Sequence, residues 1–196
     1  MAVSKPVEIE VKLAVVGARA AREMLRTAGF RVRAVRAFER NLVLDDAKRA
    51  LRRTGLLLRV RETRRGGRNH VLCTFKGPSQ PGPHKVREER EFTAASAADC
   101  IAVFAGLGYA PAFRYEKYRT EYARKGEAGH VTLDETPIGV FLELEGTATW
   151  IDRTAKRLGF SRDAYITSSY YRLQEVWCAA VNRPLGDMVF EGPGLD

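Results

Sequence analysis

The chain has 196 residues, 45% of them hydrophobic and 29% charged, enough for one large domain or two small ones with a substantial core. No apolar run reaches membrane-spanning length and the N-terminus lacks the apolar segment of a signal peptide, so a cytoplasmic protein without a membrane role is expected. A formal net charge of +9 favours anionic partners, and Cys73, Cys100 and Cys178, without CxxC spacing, read as free thiols and not as ligands or a disulfide framework.

The stretch from Val7 to Leu13 alternates apolar and charged residues with a period of two. It predicts a strand with Glu8, Glu10 and Lys12 on one face and Val7, Ile9, Val11 and Leu13 on the other. Gly17 to Gly29 reads as a short helix, with Ala21, Met24, Leu25 and Ala28 on one side. Residues 31–46 form one long strand or two, and Asp46 to Thr54 a polar arm, either an exposed turn or a short helix. Gly55 to Arg61 is a strand that sets Arg59 and Arg61 on one face. Arg64 to Asn69 reads as a hairpin loop, and Val71 to Lys76 as the return strand with Thr74 and Lys76 together. Gly77 to His84 is rich in Pro and Gly and is expected to be mobile. Beyond it Arg87, Glu89 and Glu91 alternate with Glu88, Arg90 and Phe92.

A second helix is predicted over 96–108. Ser96 caps it, Cys100, Val103, Phe104 and Leu107 make its buried stripe, and Gly108 ends it. Tyr115 to Tyr122 follows as a strand carrying Lys117 and Arg119 on one face. Val131 to Asp134 and Gly139 to Glu145 are further strands, the latter bearing Glu143 and Glu145. Helices over 148–158 and 169–181 close the domain, with Ser168 or Ser169 capping the second. The expected organisation is a single domain over 1–181 and a flexible tail over 182–196. A weak internal repeat aligns Thr54-Gly55 and its strand with Ile138-Gly139 and its strand. Arg59 and Arg61 then occupy the offsets of Glu143 and Glu145, which implies two halves facing each other, one mainly cationic and one mainly anionic.

One strand face thus collects Glu8, Glu10, Asp134, Glu143 and Glu145 together with Lys12, Arg59, Arg61, Lys76, Arg87, Lys117 and Arg119. An open antiparallel sheet would turn such a face to water. About eight such strands can instead close into a barrel whose apolar outside packs on helices and whose charged inside lines a wet tunnel. Arg and Lys suit phosphate oxygens, and carboxylates on neighbouring strands suit Mg²⁺ or Mn²⁺. No Walker A loop, Rossmann glycine pattern or HExxH occurs. His70, His84 and His130 read as isolated surface residues, Trp150 and Trp177 as helix anchors, and the remaining arginines of 19–40 and 48–68 as a solvated surface.

Glu8-Ile9-Glu10-Val11-Lys12 resembles the ExExK motif of the CYTH superfamily, the triphosphate tunnel metalloenzymes, which joins class IV adenylate cyclases with thiamine triphosphatases and inorganic triphosphatases. The resemblance runs in order through Leu58–Arg61, Phe75–Pro78, Arg87–Glu89, Glu116–Arg119, Val131–Asp134, Phe141–Glu145 and Ser169-Tyr170. Val43 departs from it, standing where the family often has an aromatic. It implies an α+β fold, an eight-stranded antiparallel β-barrel forming a tunnel with helices packed on the outside. It further implies that Glu8, Glu10, Glu143 and Glu145 hold Mg²⁺ or Mn²⁺, with Asp134 assisting. Arg59, Arg61, Lys76, Lys117, Arg119 and Arg87 would grip a triphosphate, and Lys12 would orient or activate the nucleophile or act electrostatically, with Glu10 and Glu143 the other catalytic groups. The expected partner is a small triphosphate: inorganic triphosphate, ATP or thiamine triphosphate. Nucleic acid is not expected, and a homodimer is left open. Three functions follow in order: a metal-dependent triphosphatase, a class IV adenylate cyclase releasing pyrophosphate and cyclic AMP, and a non-catalytic polyphosphate or nucleic-acid binding module.

Overall fold

Strands that are charged on one face and apolar on the other have two ways to hide the apolar face, and this chain closes the sheet on itself. The computed structural model describes residues 7–192. Its strands are β1 (Val7–Val15), β2 (Arg31–Asp45), β3 (Leu57–Arg65), β4 (Arg68–Lys76), β5 (Lys85–Ala94), β6 (Ala110–Ala123), β7 (His130–Thr136) and β8 (Gly139–Glu145). They form a closed antiparallel barrel in the order β1-β5-β4-β3-β2-β6-β7-β8. Helix α1 (Ala18–Thr27) joins β1 to β2, and the four-residue α2 (Ala50–Arg53) lies between β2 and β3. Helix α3 (Ala97–Gly106) joins β5 to β6, and α4 (Ala148–Arg157) and α5 (Tyr170–Ala180) follow β8. No helix among the described residues is long and apolar enough to cross a membrane.

The apolar core sits outside the barrel. Val11, Leu13, Val131, Leu133, Leu142 and Leu144 point outward from β1, β7 and β8 and pack under Ala21 and Leu25 of α1 and Trp150 and Ile151 of α4. Registration is tight, with Val11 opposite Leu144 and Leu13 opposite Leu142. A second cluster places Leu44, Val60, Val71 and Cys73 under Ala97, Cys100 and Phe104 of α3. In the ring, β3 and β8 are four positions apart in either direction. The arginine strand and the glutamate strand of the repeat therefore lie across the barrel from each other.

Three expectations need correction. The hairpin loop of 64–69 shrinks to Gly66-Gly67, both with positive φ (56° and 75°), because a two-residue turn of that kind matches the twist of paired strands. In α3, Val103 (63% exposed) and Leu107 (68%) face solvent, while Ala97, Cys100 and Phe104 face the barrel. The helix is apolar on most sides, so its spacing admits more than one stripe. His84 is no surface residue: it is buried, its Nε2 lies 2.8 Å from Asp152 Oδ1, and it ties the loop before β5 to α4. The segment after α5 lies along β6. Met188 N donates to Arg114 O, Glu116 N donates to Met188 O, and the buried Met188 side chain packs with Phe113, Tyr115, Phe141 and Tyr170.

Candidate functional site

The inward faces of the strands enclose a cavity of ≈ 400 Å³. Glu8, Glu10, Lys12, Arg59, Arg61, Lys76, Arg87, Lys117, Arg119, Glu143 and Glu145 all line it, which brings eleven residues from six strands into one space. Asp134 does not line it. It is fully buried beneath its partners, where its carboxylate accepts from Lys117 Nζ (2.6 Å), Arg119 Nε and Nη2 (2.7 and 2.6 Å) and Tyr170 Oη (2.8 Å). It holds two of the cations in place from behind.

Toward the mouth where β1 begins and β8 ends, carboxylates alternate with ammonium groups. Glu8 accepts from Lys76 (2.6 and 2.7 Å), and Glu10 from Lys85 (2.8 Å) and Lys12 (3.2 Å). Glu143 pairs with Lys12 (3.3 Å) and Arg119. Burial disfavours the charge on Glu10, yet Lys12 and Lys85 outweigh it and hold the carboxyl well below its usual range. Glu143 is held low in the same way, against burial, by Lys117, Lys12 and Arg119. Lys12 is buried too, but Glu10 and Glu143 raise it, so it keeps its proton. Glu145 differs: burial, with Glu8 and Glu10 nearby, pushes its carboxyl up to about 7. Among the described residues, no three His, Cys, Asp or Glu side chains converge as a metal would require. The carboxylates are turned onto their lysine and arginine neighbours.

Deeper in, cations dominate. Arg59 donates to Thr74 Oγ1 (3.0 Å) and Tyr115 Oη (3.1 Å), and Arg61 to Asn41 Oδ1 (2.8 Å). Glu39, 2% exposed, lies 3.5 Å from Arg61 and 3.9 Å from Lys117. Burial opposes its charge, but Arg61, Arg119 and Lys117 hold its carboxyl at about 2. Tyr115 is pulled down to about 8 by Arg59, Arg61 and Lys117, against the burial that would raise it. Lys85 is driven to about 8 by burial and by Lys12, against Glu10. The buried Nε atoms of Arg59 and Arg87 find no hydrogen-bond acceptor among the described residues. Buried guanidinium N–H groups without acceptors are costly, and an anion in the cavity would satisfy them.

The opposite mouth, where β2 ends and β6 begins, is different in kind. Asp45 accepts the backbone N–H groups of Asp46 (2.8 Å), Leu51 (3.0 Å) and Arg52 (3.1 Å), folding the arm and α2 across the opening. Arg52 then lies 3.6 Å over the ring of Tyr171, which meets Phe113 edge-on at 5.0 Å. Val43, Leu56 and Leu57 complete an apolar rim.

Sequence reasoning missed the roles of Glu39, Asn41, Lys85, Tyr115 and Tyr170. For Asn41, Lys85 and Tyr115 the period of two is a usable signal, each lying one step from an assigned or cavity-lining residue on its own strand, and Glu39 lies one step beyond Asn41. Tyr170 opens a helix, and nothing local aims its hydroxyl at Asp134.

The CYTH domain profile matches residues 6–156. A candidate adenylate cyclase from Vibrio parahaemolyticus superposes with a TM-score of 0.74 at 20% identity, covering 88% of this chain and 99% of that one. The PH1819 protein of Pyrococcus horikoshii gives 0.72 at 24% identity, covering 85% and 97%. HpAC1 of Hippeastrum, a candidate adenylyl cyclase described with a dominant triphosphatase activity, gives 0.58 at 17%, covering 91% and 97%. No curated protein matches in sequence. At these identities the structures speak for the fold, and the profile speaks for descent. With that profile spanning all eight strands of the closed barrel, the chain belongs to the CYTH domain family.

Proposed function

We propose that the chain hydrolyses a triphosphate with the help of a divalent metal. The observation that carries this reading is the opposition of two charged walls in one cavity, Arg59 and Arg61 on β3 across from Glu143 and Glu145 on β8. Arg59, Arg61, Lys117 and Arg119 would bind and orient the phosphate oxygens, holding the terminal phosphorus for attack by water. Glu39 and Asp134 behind them keep the cations aligned without entering the cavity. Lys12, charged and braced between Glu10 and Glu143, suits an electrostatic or orienting role more than that of a base.

The donor chemistry fits a hard divalent cation. Glu8, Glu10, Glu143 and Glu145 are oxygen donors on the neighbouring strands β1 and β8, with Glu10 in register with Glu145 and Lys12 with Glu143. These four would hold Mg²⁺ or Mn²⁺ once released by Lys76, Lys85 and Arg119, and Asp134 would contribute only through Lys117 and Arg119. When bound, the metal would supply charge neutralisation at the phosphate oxygens.

A second reading, adenylate cyclase, is favoured by the mouth built from Arg52, Tyr171, Phe113 and Leu56, where a nucleoside attached to the triphosphate would find aromatic and cationic surface. Two of the three structural relatives named above carry that name, one of them with a dominant triphosphatase activity. Product analysis separates the readings. Pure protein is incubated with inorganic triphosphate or with ATP, each with Mg²⁺ or Mn²⁺, while phosphate, pyrophosphate and cyclic AMP are followed. Metal-dependent phosphate release without cyclic AMP is the expected result, and Glu143→Gln should lower it by about 100-fold or more. Cyclic AMP with matching pyrophosphate would establish the cyclase instead, and binding without turnover would leave a binding module.

A further inference from the structure

We infer that Cys73 and Cys100 form a redox modification site, a thiol pair that a low-molecular-weight disulfide converts into an internal disulfide joining β4 to α3. The two cysteines are 27 positions apart in sequence, with nothing in their spacing to couple them, yet the fold sets their sulfurs 3.3 Å from each other. A disulfide needs the sulfurs to close to about 2.05 Å. Among the described residues, no packed neighbour holds helix α3 back from that movement on its far side, where Val103 and Leu107 face solvent.

The two thiols are unequal. Cys73 is 1% exposed, and burial together with Cys100 pushes its thiol up to about 12, so it does not open the reaction. Cys100 is only half-buried and is the point of entry. Its thiolate attacks the small disulfide, forming a mixed disulfide and expelling one thiol. The Cys73 sulfur then attacks the Cys100 sulfur and expels the second. The reagent's S–S bond takes both electrons, and the protons of the two cysteines leave on the two released thiols. The second step is intramolecular, and contact between the sulfurs offsets the small thiolate fraction of Cys73.

The site is distinct from the tunnel yet adjoins its wall. Cys73 is in register with Val60, which sits between Arg59 and Arg61, and both belong to the apolar cluster under α3. The bond would pin α3 to the outer side of the wall whose inner side carries those arginines. The inference stands whatever the tunnel binds.

The test is oxidation of the purified chain with oxidised glutathione, followed by thiol counting after unfolding and non-reducing peptide mapping. Two of the three thiols should disappear, with a Cys73–Cys100 linked peptide that a dithiol reductant removes, Cys178 remaining free. Cys73→Ser should stop at a glutathione adduct on Cys100, and Cys100→Ser should leave Cys73 unreacted. Three unchanged thiols, a stable adduct on Cys100 beside a free Cys73 in the unsubstituted chain, or disulfide-linked dimers would each overturn the inference.

Discussion

At the scale of single residues, the tunnel depends on buried carboxylates that never reach its lumen. Asp134 is saturated by Lys117, Arg119 and Tyr170, so neutralising it takes the nearest counter-charge from both cations, leaving Arg119 to Glu143 alone and the buried Lys117 to Glu39 and Glu143 at 3.9 and 4.0 Å. Asp134→Asn should therefore cost about 3–5 kcal/mol in denaturant unfolding, well beyond what the loss of an exposed ligand would cost. An unchanged midpoint would mean that the carboxylate does not hold those cations. Tyr115 has a different role. Its hydroxyl accepts from Arg59, and its own proton has no acceptor among the described residues, so it can donate to a phosphate oxygen. With its acidity at about 8, the phenol is a donor below that pH and an added negative charge above it. Triphosphate affinity should therefore fall as pH rises through about 8. Lys85 loses its positive charge over the same range, so both groups act in one direction. Tyr115→Phe should weaken binding at pH 7 and flatten the alkaline fall to the part owed to Lys85. Titration calorimetry at pH 7 and pH 9 reads both effects, and identical profiles for the two proteins would remove Tyr115 from the site.

At the scale of elements, the strands were the most legible part of the sequence and the long-range pairings the least. The period of two in β1, β3, β4, β5, β6 and β8 puts eleven of the twelve assigned residues into one cavity, because alternation alone decides which side chains share a face. Asp134 shares that inward face, yet its depth behind Lys117 and Arg119 depends on partners from β6 and α5 that no local pattern encodes. The burial of His84 escapes any local pattern for the same reason, since its partner Asp152 is 68 positions away. Helix α4 shows how strictly the outer layer is packed. Gly129 and Gly146, before β7 and after β8, lie against the face of Trp150, and a Cβ on Gly129 would overlap the indole. Trp150 cannot yield easily, because its Nε1 donates to Glu127 at 2.7 Å. Gly129→Ala should destabilise the fold by about 1–3 kcal/mol, through overpacking rather than backbone strain. Thermal unfolding checks this, and a neutral result would show that α4 can shift outward.

At the scale of the whole molecule, closing the sheet inverts the usual order, with the apolar core outside the barrel and charge inside. Closure also leaves the eight strands without a free sheet edge. The cavity is polarised along its length, with carboxylates near one mouth, cations in the middle and an aromatic, basic rim at the other. That order is the one a metal-bound triphosphate carrying an organic group would require, whereas a general polyanion surface would have no use for buried carboxylates. The most direct test is calorimetric titration of the chain with inorganic triphosphate, with and without Mg²⁺, beside Arg61→Met. The expected result is one-to-one binding that Mg²⁺ strengthens and that Arg61→Met weakens by about 10–100-fold. Absence of binding, or equal affinity in the variant, would contradict the assignment of the tunnel as a triphosphate site.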